Sequence, residues 1–225
     1  MPALGGRLQV AFDFGVFNGD TIPFPVGSVH VLDNLGWAAS VLHERPIHHG
    51  RHKLSAQYGR GVAADFRAVL TPIPGRTYAP GDTVDYEDFW QLRLVEDLLF
   101  DRGGPLTLQL GAVWQEIGNG AAAGSRITWT ALGLRPAYHL NRYASVELEA
   151  SWDHTDQRSG VAGSLYKVTL APQITPTAAV LSRPSLRAYV TWARWTDGFV
   201  GLVAPVRYGT SDSGFAAGVQ LETWW

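Results

Sequence analysis

The sequence contains no cysteine. That excludes a disulfide framework and any thiolate metal site. Charge is also scarce: 17% of residues are Asp, Glu, Lys or Arg, against about 25% in soluble domains. The net charge of −2 supplies no basic stripe, so nucleic acid is not an expected partner. No window approaches the ~18 uninterrupted apolar residues of a transmembrane helix. Gly-x-Ser-x-Gly, P-loop and dinucleotide fingerprints are all missing. The first residues, MPALGGRLQVAFDFG, lack the basic segment, apolar run and small-residue cleavage site of a secretory leader. Mean hydropathy of −0.03 excludes neither water nor membrane.

Aromatics and glycine are plentiful: nine Trp, eight Tyr, nine Phe and 25 Gly. The most informative stretch is Ser213 to Trp225, SGFAAGVQLETWW. Phe215, Ala217, Val219, Leu221, Thr223 and Trp225 share one parity. Ala216, Gly218, Gln220, Glu222 and Trp224 share the other. Successive side chains of a strand point to opposite faces, so this is an apolar face backed by a small and polar one. Two tryptophans on an open soluble edge would invite aggregation. A transmembrane barrel strand has apolar residues towards lipid, polar ones towards a lumen and aromatics at the interfaces.

The same period of two recurs over Arg7–Phe17, Trp37–Glu44, His52–Gly59, Tyr86–Leu98, Leu106–Trp114, Arg126–Tyr138, Val146–Asp153, Tyr166–Leu170 and Leu186–Trp192. The stretch QLRLVEDLL has good helix formers, but Trp90, Leu92 and Leu94 alternate with Gln91, Arg93 and Val95, which predicts a strand. The expected architecture is all-β: an antiparallel transmembrane β-barrel of about ten strands with no substantial helix, residues 1–225 forming one domain. Short turns near 45–50, 101–105, 139–142 and 175–183 alternate with longer connections, as in outer-membrane barrels. Residues 18–34, 62–82 and 196–212 read as loops. Strand parity places Lys53, Gln57, Glu147, Glu149, Arg187 and Gln220 towards a lumen, and Trp114, Trp152, Trp192 and Trp225 in outward aromatic belts.

Several clusters compete with this reading. His43, His48, His49 and His52 lie close in sequence, but His48 and His49 fall in an expected turn and point apart on extended chain. Asp82, Asp85, Glu87 and Asp88 lack the EF-hand spacing and read as a solvated loop. Glu147, Glu149 and Asp153 share a face, which a polar lumen explains without paired-carboxylate catalysis. No metal and no cofactor is expected.

The segments GWAASVLHE (36–44), HKLSAQYG (52–59), LGLRPAYHL (132–140), SLYKVTLAPQI (164–174), SRPSLRAYVTWARW (182–195) and GVQLETWW (218–225) resemble the maltoporin family of sugar-selective outer-membrane porins. The resemblance implies an eighteen-stranded barrel of which these are the last ten strands, a homotrimer in outer-membrane lipid, and passive diffusion of sugars, oligosaccharides and small solutes. On that reading the 225-residue chain alone is a poor channel. It also implies an aromatic sugar path to which Trp224 corresponds. Two further path positions depart from the aromatic pattern, being Leu181 and Arg51 here, and Arg51 and Leu181 would suit a smaller or anionic solute. The alternatives are an outer-membrane barrel enzyme, which needs Asp and His pairs at the external rim, and a soluble β-sandwich that binds carbohydrate.

Overall fold

Alternation along the sequence becomes hydrogen-bonded pairing in a computed structural model of the chain, which describes residues 2–3, 5–24, 27–66, 73–120, 125–157, 160–179 and 182–223. The strands in chain order are β1 (Pro2–Ala3), β2 (Gly6–Phe17), β3 (Asp20–Phe24), β4 (Gly27–Val31), β5 (Asn34–Ile47), β6 (Gly50–Arg60) and β7 (Thr83–Val84). They continue with β8 (Trp90–Asp101), β9 (Leu106–Gly118), β10 (Arg126–His139), β11 (Ala144–Gln157), β12 (Ala162–Ile174), β13 (Ser185–Trp195) and β14 (Ser213–Glu222). One antiparallel sheet runs in the order β1-β2-β5-β6-β8-β9-β10-β11-β12-β13-β14. Its ten long strands have 10 to 14 residues each. That is enough to cross a bilayer, which takes about 9–11 tilted residues. The sheet is open: among the described residues, β14 does not pair with β1 or β2.

The two faces of this wall differ as the pattern requires. Val10, Phe12, Phe14, Leu132, Leu148, Leu170, Val190, Phe215 and Val219 are exposed on one face. On the other, Gln91, Thr107, Ala137, Glu147, Ala171, Gln173 and Trp195 are buried. A single-layer sheet buries one face only if it curls around it, so the polar face is the concave one. Cross-strand pairing ties the parity of all strands together: Glu149 lies opposite Thr169, Thr169 opposite Thr191 and Thr191 opposite Ala216. Phe12 stacks with Trp37 at 6.1 Å, Trp37 meets Tyr58 at 5.4 Å, and Tyr58 stacks with Trp90 at 6.4 Å. With Trp114, Trp152 and Trp192 on the same parity, these rings form an outward belt towards the long-loop end. Amphipathic rings are favoured at a membrane interface. Trp225 lies outside the described residues.

Several expectations about connections and strand ends change. Residues 18–34 are not a plain loop: β3 and β4 form a hairpin, and β7 adds to β4 in parallel. Pro23 hid the strand, yet β3 is an edge of this three-stranded sheet, where a missing N–H is tolerated. The expected turn at 45–50 narrows to His48–His49, with Pro46 inside β5. The Tyr86–Leu98 strand begins only at Trp90. The 62–82 and 196–212 stretches each carry short helical turns, Gly61–Ala63 at the border of the first and Asp197–Phe199 and Pro205–Tyr208 within the second.

The changed segments together make the apolar core. Val29, Val31, Ala64, Ile73, Val84, Tyr86 and Phe89 pack on Ile117, at the long-loop end of β9. Ile117 belongs to the polar-face parity, paired with Gln91 and Ile127. The loops therefore fold inward across the concave face at that end. Glycine permits the close approach: a Cβ on Gly36 would stand 2.4 Å from Ala63 N, and one on Gly61, at φ +68°, 2.1 Å from Leu35 O.

Tyr86 gives this layer a pH signature. Burial, then the neighbouring Tyr78 and the Asp65 charge, push its phenol above its ordinary value of 10.0. The folded form holds it neutral, so the unfolded form ionises first. The contribution to stability is complete below pH 10 and is lost above it, by about 1.4 kcal/mol per pH unit. Ultraviolet titration of tyrosinate is expected to show Tyr86 ionising after the exposed tyrosines, together with opening of the loop layer. A single shared transition near pH 10 for all eight tyrosines would contradict this.

Candidate functional site

The short-turn half of the concave face holds an arc of paired polar side chains. It begins on β5 and β6, where Arg51 reaches Glu44 at 3.8 Å and Lys53 reaches the same carboxylate at 3.8 Å. Arg51 also meets Asp97 of β8 at 3.6 Å. Gln109 of β9 donates to Asp97 at 2.7 Å, and Arg135 of β10 donates to Gln109 at 2.6 Å. Beyond it, Gln173 donates to Glu147 at 2.8 Å and to Ser145 at 3.0 Å, while Ser185 donates to Gln173 at 3.1 Å. Arg187 lies 3.5 Å from Glu147 and 3.0 Å from Glu222, which Arg183 also reaches at 2.8 Å. Lys167 pairs with Glu149 at 3.3 Å.

Backbone pairing explains why these groups meet. Residues on facing strands with matched parity stand about 4.5–5.5 Å apart, within side-chain reach. Glu44 faces Lys53, Lys53 faces Asp97, and Gln173 faces Arg187, which faces Gln220. Each carboxylate of the arc thus has a cation or an amide beside it, which low-dielectric surroundings require of a buried charge.

Lys53, Glu147, Glu149, Arg187 and Gln220 lie within this region of the polar face, and Arg51 joins them. Gln57 is on the same face nearer the loop layer, where it accepts from Arg93 Nε at 2.9 Å. Leu181 and Trp224 lie outside the described residues. The sequence reading passed over Glu44, Asp97, Gln109 and Arg135. Parity would have placed Arg135 with the polar set, since Leu132 and Leu134 take the other face. Trp129 and Trp195 were also missed. Trp129 sits opposite Gln115 and Thr155 on the concave side. Trp195 is buried there and donates to Ser211 O at 2.9 Å. The cross-strand row Gln9, Leu42, Ser55, Val95, Val113, Ala131, Asp153 and Leu165 mixes apolar with polar side chains, so the concave face is not polar throughout.

The competing clusters resolve into ordinary contacts. His52 Nε2 hydrogen-bonds Glu96 Oε2 at 3.1 Å on the apolar face, with the His43 ring 6.1 Å away. Glu96 there interrupts the alternation of β8. Asp82 accepts from Ala79 N at 2.7 Å and Asp85 from Glu87 N at 2.8 Å, both closing turns. Among the described residues no three His, Asp or Glu side chains are placed to hold a metal. The one described serine–histidine contact joins His154 Nδ1 to Ser164 Oγ at 2.9 Å. No carboxylate bonds that imidazole among the described residues, so an oriented triad is not assembled there.

A wall of antiparallel strands, apolar outside and charge-paired inside, is what a water-filled barrel in lipid needs. A family model described as LamB porin matches residues 3–225. That family is a family of channels rather than of enzymes. On these grounds the chain belongs to the LamB porin family, the sugar-selective porins of the bacterial outer membrane.

Proposed function

We propose that the concave face lines the lumen and that sugars and small solutes cross it passively, without chemical conversion. Lys53, Gln57, Glu147, Glu149, Arg187 and Gln220 then face the permeating solute, with Arg51, Leu181 and Trp224 at the periplasmic exit. Residues 1–225 act as one barrel-wall domain, its apolar face against outer-membrane lipid, in a homotrimer. The observation that carries the reading is the pairing of charges along the arc. Such a surface offers hydroxyl groups alternating donors and acceptors, so a sugar exchanges its water hydrogen bonds rather than losing them.

The two edge strands bear on how the wall closes. Unpaired backbone groups in hydrocarbon cost several kcal/mol each. Closure through further strands, to the eighteen of the family, satisfies them. Planar-bilayer recordings test the proposal. The 225-residue protein alone is expected to give poor or no single-channel steps. Refolded with the first half of a family barrel, it is expected to give constant steps that maltodextrin blocks reversibly, with the sugar recovered unaltered. Constant, maltodextrin-blocked steps from the chain alone would overturn the need for further strands. Cleaved sugar, or closed barrels indifferent to maltodextrin, would overturn the sugar-pore reading. Chemical cross-linking that stops at dimers would overturn the trimer.

A further inference from the structure

The apolar face carries most of its charge at the long-loop end, where Arg60, Glu116, Arg126, Asp156 and Arg194 stand near the strand ends. A second charged group lies towards the short turns. Arg45 of β5 faces His52 of β6, and His52 faces Leu98 of β8. Glu96 stands two residues along β8, between Leu54 and Ala112. Arg45 is exposed and forms no ion pair among the described residues. An ionisable side chain against lipid is costly and needs a partner. His52 Nε2, at 3.1 Å from Glu96 Oε2, fills one of the roughly four positions at which a carboxylate accepts.

Beyond Glu96 the same face sinks into a trough of about 560 Å³ that crosses β8 to β12. Leu98, Leu134 and Val168 border one side, Leu132 and Trp152 the other, and the small Ala112 and Ala150 leave its depth. Five strands spaced ~4.8 Å apart make it ~19 Å long. It begins at Leu98, three residues from the short-turn end of β8 at Asp101. It reaches Val168, six residues from the short-turn end of β12 at Ile174. The trough therefore climbs obliquely away from the periplasmic side. Barrel strands tilt ~35–45°, so a trough across them rises ~11–13 Å. One leaflet's share of the hydrocarbon is ~15 Å.

A charged group at the periplasmic end of an apolar trough one leaflet high has the outline of a single lipid. The charges select its head. Arg45 suits a phosphate and Glu96 an ammonium. A phosphodiester with no cation of its own would leave Glu96 facing like charge, and a head without phosphate would leave Arg45 unpaired. We infer that this face seats one phosphatidylethanolamine molecule of the periplasmic leaflet, its phosphate on Arg45, its ammonium on Glu96 and one acyl chain along the trough. The seat rests on the reading of the apolar face as lipid-facing and adds a fixed lipid to it.

Native mass spectrometry of the 225-residue protein, released from detergent micelles doped with phosphatidylethanolamine, phosphatidylglycerol or diacylglycerol, tests it. One phosphatidylethanolamine is expected to stay bound, with phosphatidylglycerol about three- to fivefold weaker and diacylglycerol about tenfold weaker. Arg45→Ala should weaken both phospholipids about tenfold, and Glu96→Gln should bring the two to equal strength. Ala150→Phe, which fills the trough, should weaken retention about fourfold. Val219→Phe, exposed on the same face but outside the trough, should leave it unchanged. Arg45→Ala, at an exposed position, carries the test where Ala150→Phe fails to fold by circular dichroism. Retention that Arg45→Ala does not change, equal loss from Val219→Phe, or diacylglycerol held as well as phosphatidylethanolamine would overturn the seat. Phosphatidylglycerol held more tightly than phosphatidylethanolamine would overturn the zwitterionic head. Detergent-dependent protein that keeps no lipid would overturn the seat and leave the lipid-facing wall standing. Protein that stays folded and monodisperse without detergent would overturn both.

Discussion

Replacing Arg187 with alanine is expected to cost the folded wall about 3 kcal/mol. The Arg187 side chain is 13% exposed and that of Glu147 only 6%. Without the guanidinium, Glu147 keeps the neutral amide of Gln173 at 2.8 Å as its close donor. An ionised carboxylate left in that position loses most of what offset its desolvation. Glu222 suffers less, because Arg183 still reaches it at 2.8 Å. The loss should therefore be concentrated on Glu147. The double variant Arg187→Met with Glu147→Gln should recover much of the stability, since removing both charges also removes the desolvation cost. Urea unfolding of the vesicle-inserted protein, followed by tryptophan fluorescence, measures all three. A cost under about 0.5 kcal/mol for Arg187→Ala would mean that water screens the pair as it does on an open surface.

A second large effect should come from the opposite face. Val190 sits near the middle of β13, between Leu170 and Ala217 and exposed on the apolar side. Val190→Arg places a guanidinium in hydrocarbon, at about 2–4 kcal/mol near the bilayer midplane. Thr191, one residue on, faces Thr169 and bonds its hydroxyl at 2.8 Å. Thr191→Arg gives up that bond but keeps the charge on the polar side, for about 1 kcal/mol. The fraction of heat-modifiable, folded protein in lipid vesicles ranks the two variants. The reverse order would invert the face assignment of the whole sheet, because pairing register links every strand to its neighbours.

The wall was legible in the sequence because one side of each strand must be apolar. Val146, Leu148, Ala150 and Trp152 against Glu147 and Glu149 leave no other register for β11. The family follows from the same strands through the segments that resemble maltoporins. The loop layer was not legible. Val29, Val31, Ile73 and Val84 are scattered among Gly, Pro and Asp, and no local period marks residues that become a core only when three segments meet. The contacts of the arc were hidden for a related reason. Parity says that Arg51 and Asp97 share a face, but only the β6–β8 register brings them within 3.6 Å. Glu96 on the apolar face, and Trp129 and Trp195 on the concave one, break the equation of parity with polarity, so composition alone misplaces them.

The order of strands in the sheet also bears on how the chain acquires its shape. Each long strand pairs with the long strands next to it in sequence, so contact order is low for an all-β protein and assembly can proceed hairpin by hairpin. The hairpins closed at 48–49, 102–105 and 140–143 pay little loop-closure entropy. The β6–β8 junction, which spans residues 61–89, costs about 2 kcal/mol more on a logarithmic loop scale. That junction also carries much of the loop layer. The wall is therefore expected to nucleate at the short-turn end, with the layer across the opposite mouth ordering only after β6 and β8 have joined. Substitutions in the short turns should slow refolding, while those in the loop layer should mainly speed unfolding.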